Sequence, residues 1–70
     1  MEGVPYFFKT DCKCTSTTGA TVDIPSGIYN VTERGDVAID VGQGRVIDIP
    51  AAEFARLKAE GIASAYRVVP

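Results

Sequence analysis

Three aspartates sit in apolar–Asp–apolar triplets, Val22-Asp23-Ile24, Ile39-Asp40-Val41 and Ile47-Asp48-Ile49, and two cysteines lie one residue apart at Cys12 and Cys14. Clustered carboxylates can hold Mg²⁺ or Ca²⁺, or raise one another's pKa for acid–base work. Paired thiols can ligate zinc or form a disulfide. On a strand, Cys12 and Cys14 point to one side with their Cα atoms roughly 6.5–7 Å apart, the upper limit for a disulfide. A structural zinc site needs four ligands, and the chain offers no other soft donor, so only a homodimer pooling two such pairs could complete one. The pair therefore reads as core or strand-end cysteines. The chain has no histidine, which removes the commonest general base, the usual partner of a nucleophilic serine or cysteine, and the commonest metal ligand. No catalytic residue, cofactor-binding residue or metal ligand is assigned, and the protein is expected not to be an enzyme.

Other short motifs carry less. Arg34-Gly35-Asp36 spells the tripeptide that integrins recognise, but it falls where a hairpin turn requires these residue types. Asn30-Val31-Thr32 is a glycosylation sequon, which matters only in a secreted chain. Gly42-Gln43-Gly44 lacks the third glycine and following helix of a dinucleotide loop, and Thr17-Thr18-Gly19 lacks the lysine of a P-loop.

The elements that would position these residues are mostly strands. Residues 4–14 are rich in aromatic and strand-favouring types, with Tyr6, Phe8, Thr10 and Cys12 alternating against Phe7, Lys9, Asp11 and Lys13. Residues 15–19 form a loop by composition, and residues 21–24 a short strand stopped by Pro25-Ser26-Gly27. Three further strand-like runs, 28–32, 37–41 and 45–49, are separated by Glu33-Arg34-Gly35 and Gly42-Gln43-Gly44. Three-residue hairpin loops end on a left-handed residue, so Gly35 and Gly44 fit the third position.

That reading sets Val31 opposite Val37, Tyr29 opposite Ile39, Val41 opposite Arg45, Ile39 opposite Ile47 and Val37 opposite Ile49. One face then collects Tyr29, Val31, Val37, Ile39, Val41, Ile47 and Ile49. The other collects Asn30, Thr32, Asp36, Ala38, Asp40, Val46 and Asp48. A two-residue loop at Arg34-Gly35 would mix the two sets, so the three-residue loop is preferred.

After Ile49 the period changes. Pro50 suits a first helical turn, Ala51, Phe54, Ala55 and Leu57 form an apolar stripe, and Gly61 is placed as terminator. Residues 62–69 return to strand-like composition. The expected fold is thus mostly β (α+β): a small antiparallel sheet of five to six strands with one short helix before the last. An SH3-like barrel is the expected architecture, because closure removes edges that so small a sheet could not otherwise protect. An open meander with the helix on its apolar face is the alternative.

Seventy residues with 46% hydrophobic and 23% charged side chains make a single domain, residues 1–70, near the lower limit for one hydrophobic core. A net charge of −2, with Lys9, Lys13, Arg34, Arg45, Arg56, Lys58 and Arg67 dispersed among acids, argues against nucleic acid as partner. Met1-Glu2-Gly3-Val4-Pro5 has no basic segment leading into an apolar run, and no stretch is long and apolar enough to cross a bilayer. A cytoplasmic protein is expected, and two cysteines are too few for a disulfide framework.

The final third, Val46-Ile47-Asp48-Ile49-Pro50 followed by Ala51-Ala52-Glu53-Phe54-Ala55-Arg56-Leu57 and Glu60-Gly61-Ile62-Ala63, resembles the ending of very short phage and prophage proteins of small-barrel type. Pro25-Ser26-Gly27-Ile28-Tyr29 is similar to the proline–glycine turn they carry. The resemblance covers residues 25–69 and implies an accessory module borne by a virus or mobile element, acting in the cytoplasm of a bacterial host. It transfers no functional residue.

These observations lead to an expected function: a non-enzymatic protein-binding module that docks on a host or virion protein, with an inhibitor as a special case. Phe7, Asp36, Asp40 and Asp48 are the candidate partner-binding residues, since Asp40 and Asp48 share the wet face diagonally and Phe7 opposes Tyr6 and Phe8. A virion structural or assembly component, and a minimal metal-binding protein or enzyme using Asp40 and Asp48, are the alternatives.

Overall fold

A computed structural model describes residues 3–66 of the chain. In order these form β1 (Val4–Phe8), β2 (Cys12–Thr15), β3 (Thr21–Ile24), β4 (Gly27–Arg34), β5 (Asp36–Gly42), β6 (Arg45–Ile49), α1 (Ala51–Ala59) and β7 (Ala63–Ala65). The protein is mostly β with one short helix before the last strand, as its periodicities require. Among the described residues, five strands form an antiparallel sheet in the order β6-β5-β4-β1-β7, within the expected five to six, and two more form a separate β2–β3 hairpin. The expected last strand is Ala63–Ala65, and residues 67–69 of that expectation lie outside the described residues.

The continuous first strand expected over residues 4–14 is two strands. The backbone leaves the sheet after Phe8, where Lys9 N–H donates to the Ile62 carbonyl and the Asp11 carboxylate accepts from Ser26 N–H. Phe8 stands opposite Gly27, so β1 and β4 are neighbours and the β2–β3 hairpin is inserted between them. The strand alternation survives the break: Tyr6 and Phe8 face the core, Phe7 faces away, and Cys12 and Cys14 face inward from the hairpin.

The sheet does not close into the expected barrel. Its two edge strands, β6 and β7, run parallel at opposite sides, so the chain between them crosses the full width of the sheet. The helix makes that crossing over the apolar face. The hairpin covers the rest, its tip reaching the far edge where Thr17 N–H donates to the Asp48 carbonyl. Edge β7 is only three residues long, a common way to blunt an edge without closure.

Phe8, Cys14, Ile24, Val31, Val37, Ile39, Ile47, Ile49, Phe54, Leu57 and Ala63 make one buried core between the sheet and this cover. The Tyr6 and Phe54 rings meet edge-to-face at 5.0 Å, tying helix to sheet. The helix begins at Pro50, which is the N-cap rather than a first-turn residue. It ends where the Gly61 N–H reaches the Lys58 carbonyl and the Ile62 N–H the Leu57 carbonyl, the paired bonds of a Schellman terminus. Gly61 has the φ of +76° this terminus needs. Only Phe54 and Leu57 of the anticipated stripe are buried, while Ala51 and Ala55 are exposed.

The expected β4–β5 register is two residues off. Val31 lies opposite Ile39, Glu33 opposite Val37 and Arg34 opposite Asp36, with Gly35 alone at the apex. The observed register aligns Val31, Ile39 and Ile47 in one buried row across β4, β5 and β6. At the second turn, Ile39–Ile47 and Val37–Ile49 pair as expected, but Val41 does not face Arg45. Arg45 pairs with Gly42 across a two-residue loop, Gln43 and Gly44, both with positive φ as a type I′ turn requires. A bulge at Val41 absorbs the extra residue, and the Asp40 carboxylate accepts a 2.9 Å bond from Gly42 N–H across it.

Candidate functional site

Helix and hairpin cover one face of the five-stranded sheet, leaving the other uncovered among the described residues. Its side chains follow from strand alternation and register. Phe7 of β1 stands between Ser64 of β7 and Ile28 of β4. In the next row Pro5, Asn30, Asp40 and Val46 lie side by side, with Tyr66 bonded to the Pro5 carbonyl through its N–H. The third row holds Thr32, Ala38 and Asp48, and the fourth Arg34 and Asp36. Phe7, Asp36, Asp40 and Asp48 therefore share one surface, although the first is distant in sequence from the rest.

The surface is divided. Phe7 (42% exposed), Ile28 (49%) and Tyr66 (40%) gather with Pro5 over β7, β1 and β4. Asp36, Asp40 and Asp48 gather over β5 and β6 around Ala38, where the small side chain leaves a shallow depression of about 370 Å³ lined by Thr32, Arg34, Asp36, Ala38, Val46 and Asp48. Val46 is 55% exposed within this acidic half. Lys13 and Asp23 form an ion pair at 2.8 Å, Arg56 bridges Glu53 and Glu60, and Lys58 lies near Glu33. No ion pair to Asp36, Asp40 or Asp48 is present among the described residues. Nor do any three His, Cys, Asp or Glu side chains among the described residues converge closely enough to hold a metal ion.

Asp23 is not part of this surface. It lies on β3, away from Asp40 and Asp48, paired with Lys13. A second depression, about 450 Å³, lies beside the hairpin and is lined by Asp11, Cys12, Lys13, Asp23, Ile24 and Pro25. Its polar groups are engaged with the protein itself: Asp11 with Ser26, and Lys13 with Asp23.

Both cysteines are free thiols. Burial pushes the Cys14 thiol up to about 12, with the neighbouring Cys12 adding to the shift. Burial also raises Cys12, less strongly because its hydrogen bond with Cys14 and the Arg56 guanidinium oppose it. Such thiols are protonated at neutral pH and are poor nucleophiles.

The sequence pattern identified the acidic half and Phe7 but missed Ile28 and Tyr66 as members of the same surface. Ile28 alternates with Asn30 and was legible as wet-face on that ground. Its contact with Phe7 depends on the β1–β4 pairing, for which no local signal exists. No protein-family model, no curated protein and no solved structure matches the chain.

Proposed function

We propose that the chain is a non-enzymatic binding module that docks on a partner protein through the open face of its five-stranded sheet. One observation carries this reading. Exposed Phe7, Ile28 and Val46 share a single uncovered face with Asp36, Asp40 and Asp48, while helix and hairpin cover the opposite face, where Val4 at the end of β1 is the one large apolar side chain left exposed among the described residues. An apolar patch rimmed by polar groups is the usual mark of an interaction surface. The resemblance of residues 25–69 to short phage proteins suggests a bacterial-host or virion protein as partner, with inhibition of that protein as one consequence of docking.

The test is affinity capture at low salt with immobilised wild type and with Phe7→Ser/Ile28→Ser. Retention of one specific host or virion protein by the wild type, lost in the variant, supports the reading. Retention of nothing specific, or equal retention by both, sinks it.

A further inference from the structure

Resting on that docking reading, we propose that the occupant of the open face is a basic protein segment in which an apolar block adjoins a lysine- or arginine-rich block, and not a second copy of this chain. The acidic half carries Asp36, Asp40 and Asp48, offset on this face among the described residues by Arg34, with Arg45 at the β6 edge lining a depression with Val46 and Asp48. Ile28 lies one strand and one two-residue row from Asp40, about 5 Å across the sheet and about 7 Å along it, while Asp36 at the far end lies three rows, about 20 Å, along the strands from Ile28.

Two copies packed face to face have two choices. Acidic half on acidic half sets six carboxylates against at most four guanidiniums. Acidic half on apolar half buries carboxylates against Phe7 and Ile28 without partners, which is costly. A segment with the complementary layout meets neither penalty. Its cations sit over Asp40 and over the Ala38 depression beside Asp36 and Asp48, while its apolar block covers Phe7 and Ile28.

The experiment is an amide chemical-shift titration of the full chain with two capped peptides. One joins a leucine block to a lysine block, and its counterpart replaces lysine by glutamate. The lysine peptide is expected to shift amides of Phe7, Ile28, Asn30, Asp40 and Asp48, with binding that weakens as salt rises. Asp40→Lys/Asp48→Lys is expected to weaken it roughly ten-fold or more, with the pattern of unperturbed core amides showing that the variant folds. Equal binding of the glutamate peptide, absence of shifts on this face, or indifference to charge reversal overturns the proposal. So does a concentration-dependent shift of these amides without peptide, which would identify a second copy as occupant. If the titration fails while capture still depends on Phe7 and Ile28, docking stands and only the basic partner is wrong.

Discussion

The two faces of the five-stranded sheet are built from alternate residues of the same strands, yet one supplies most of the core and the other almost none of it. On β5, Val37 and Ile39 are buried, while Asp36 and Asp40 beside them are exposed. On β6 the same holds for Ile47 and Ile49 against Val46 and Asp48. Folding energy in so small a domain is concentrated on the covered face, where apolar area leaves water. The open face contributes little to that, so its side chains are free to be chosen for something else. Phe7 and Ile28 stand out there because leaving them in water brings the fold no benefit.

The sharpest way to break this contrast is to truncate one side chain on each face. Ile39→Ala, at a fully buried position, is expected to cost ~2–5 kcal/mol in a urea titration. Val46→Ala on the open face is expected to stay within ~0.5 kcal/mol. Comparable losses would mean that the open face is covered in the free protein.

Next in size is the hairpin apex on which both faces depend. Gly35 has φ +83°, and a Cβ there would meet no atom within 4 Å, so the cost of a side chain is purely conformational. Gly35→Val is expected to lose ~1–3 kcal/mol through left-handed strain. Gly35→Asn should lose much less, since asparagine tolerates that region. Equal midpoints for the two variants would show that the apex is not left-handed.

Raising the pH acts on the covered face through Cys14. The folded Cys14 thiol is pushed up to about 12 from an ordinary value of 9.0. A raised value means that the fold favours the neutral thiol. Its contribution is fully present below pH 9 and is lost as pH climbs from there toward about 12. Alkaline denaturation of wild type should therefore be steeper over that window than that of Cys14→Ala, which keeps the same lysines and tyrosines. Identical slopes would place the alkaline loss elsewhere.

The smallest effect belongs to the acidic half. Asp48 lies diagonally from both Asp36 and Asp40, an arrangement of like charges that weakens a sheet slightly. Asp48→Asn is expected to be neutral or to stabilise by a few tenths of a kcal/mol, an effect that shrinks with added salt. A loss above ~1 kcal/mol would give Asp48 a structural role and remove it from the docking surface.

The division of residues between faces was legible from the chain because strand side chains alternate with period two. The β4–β5 register differs from the one the turn chemistry suggested by two residues, and a shift of two leaves every side chain on its own face. Asp40 and Asp48 are diagonal neighbours on the wet side in both registers. Gly35, Gly44 and Gly61 were readable for a related reason: a positive φ is a local demand that glycine meets in place.

What tertiary structure alone decided is everything that depends on partners distant in the chain. Residues 4–14 have the composition of one strand, and only the packing of β2–β3 over the core breaks them at Lys9. Phe7 meets Ile28 because β1 pairs with β4, a choice made by burying Tyr6 and Phe8 against Tyr29, Phe54 and the rest of the core. The sheet stays open because the helix must carry the chain across it from β6 to β7, and helix and hairpin together cover the apolar face that closure would otherwise have hidden. Periodicity assigns a side chain to a face, but which face is covered, and what stands beside each residue across the strands, is set by long-range burial.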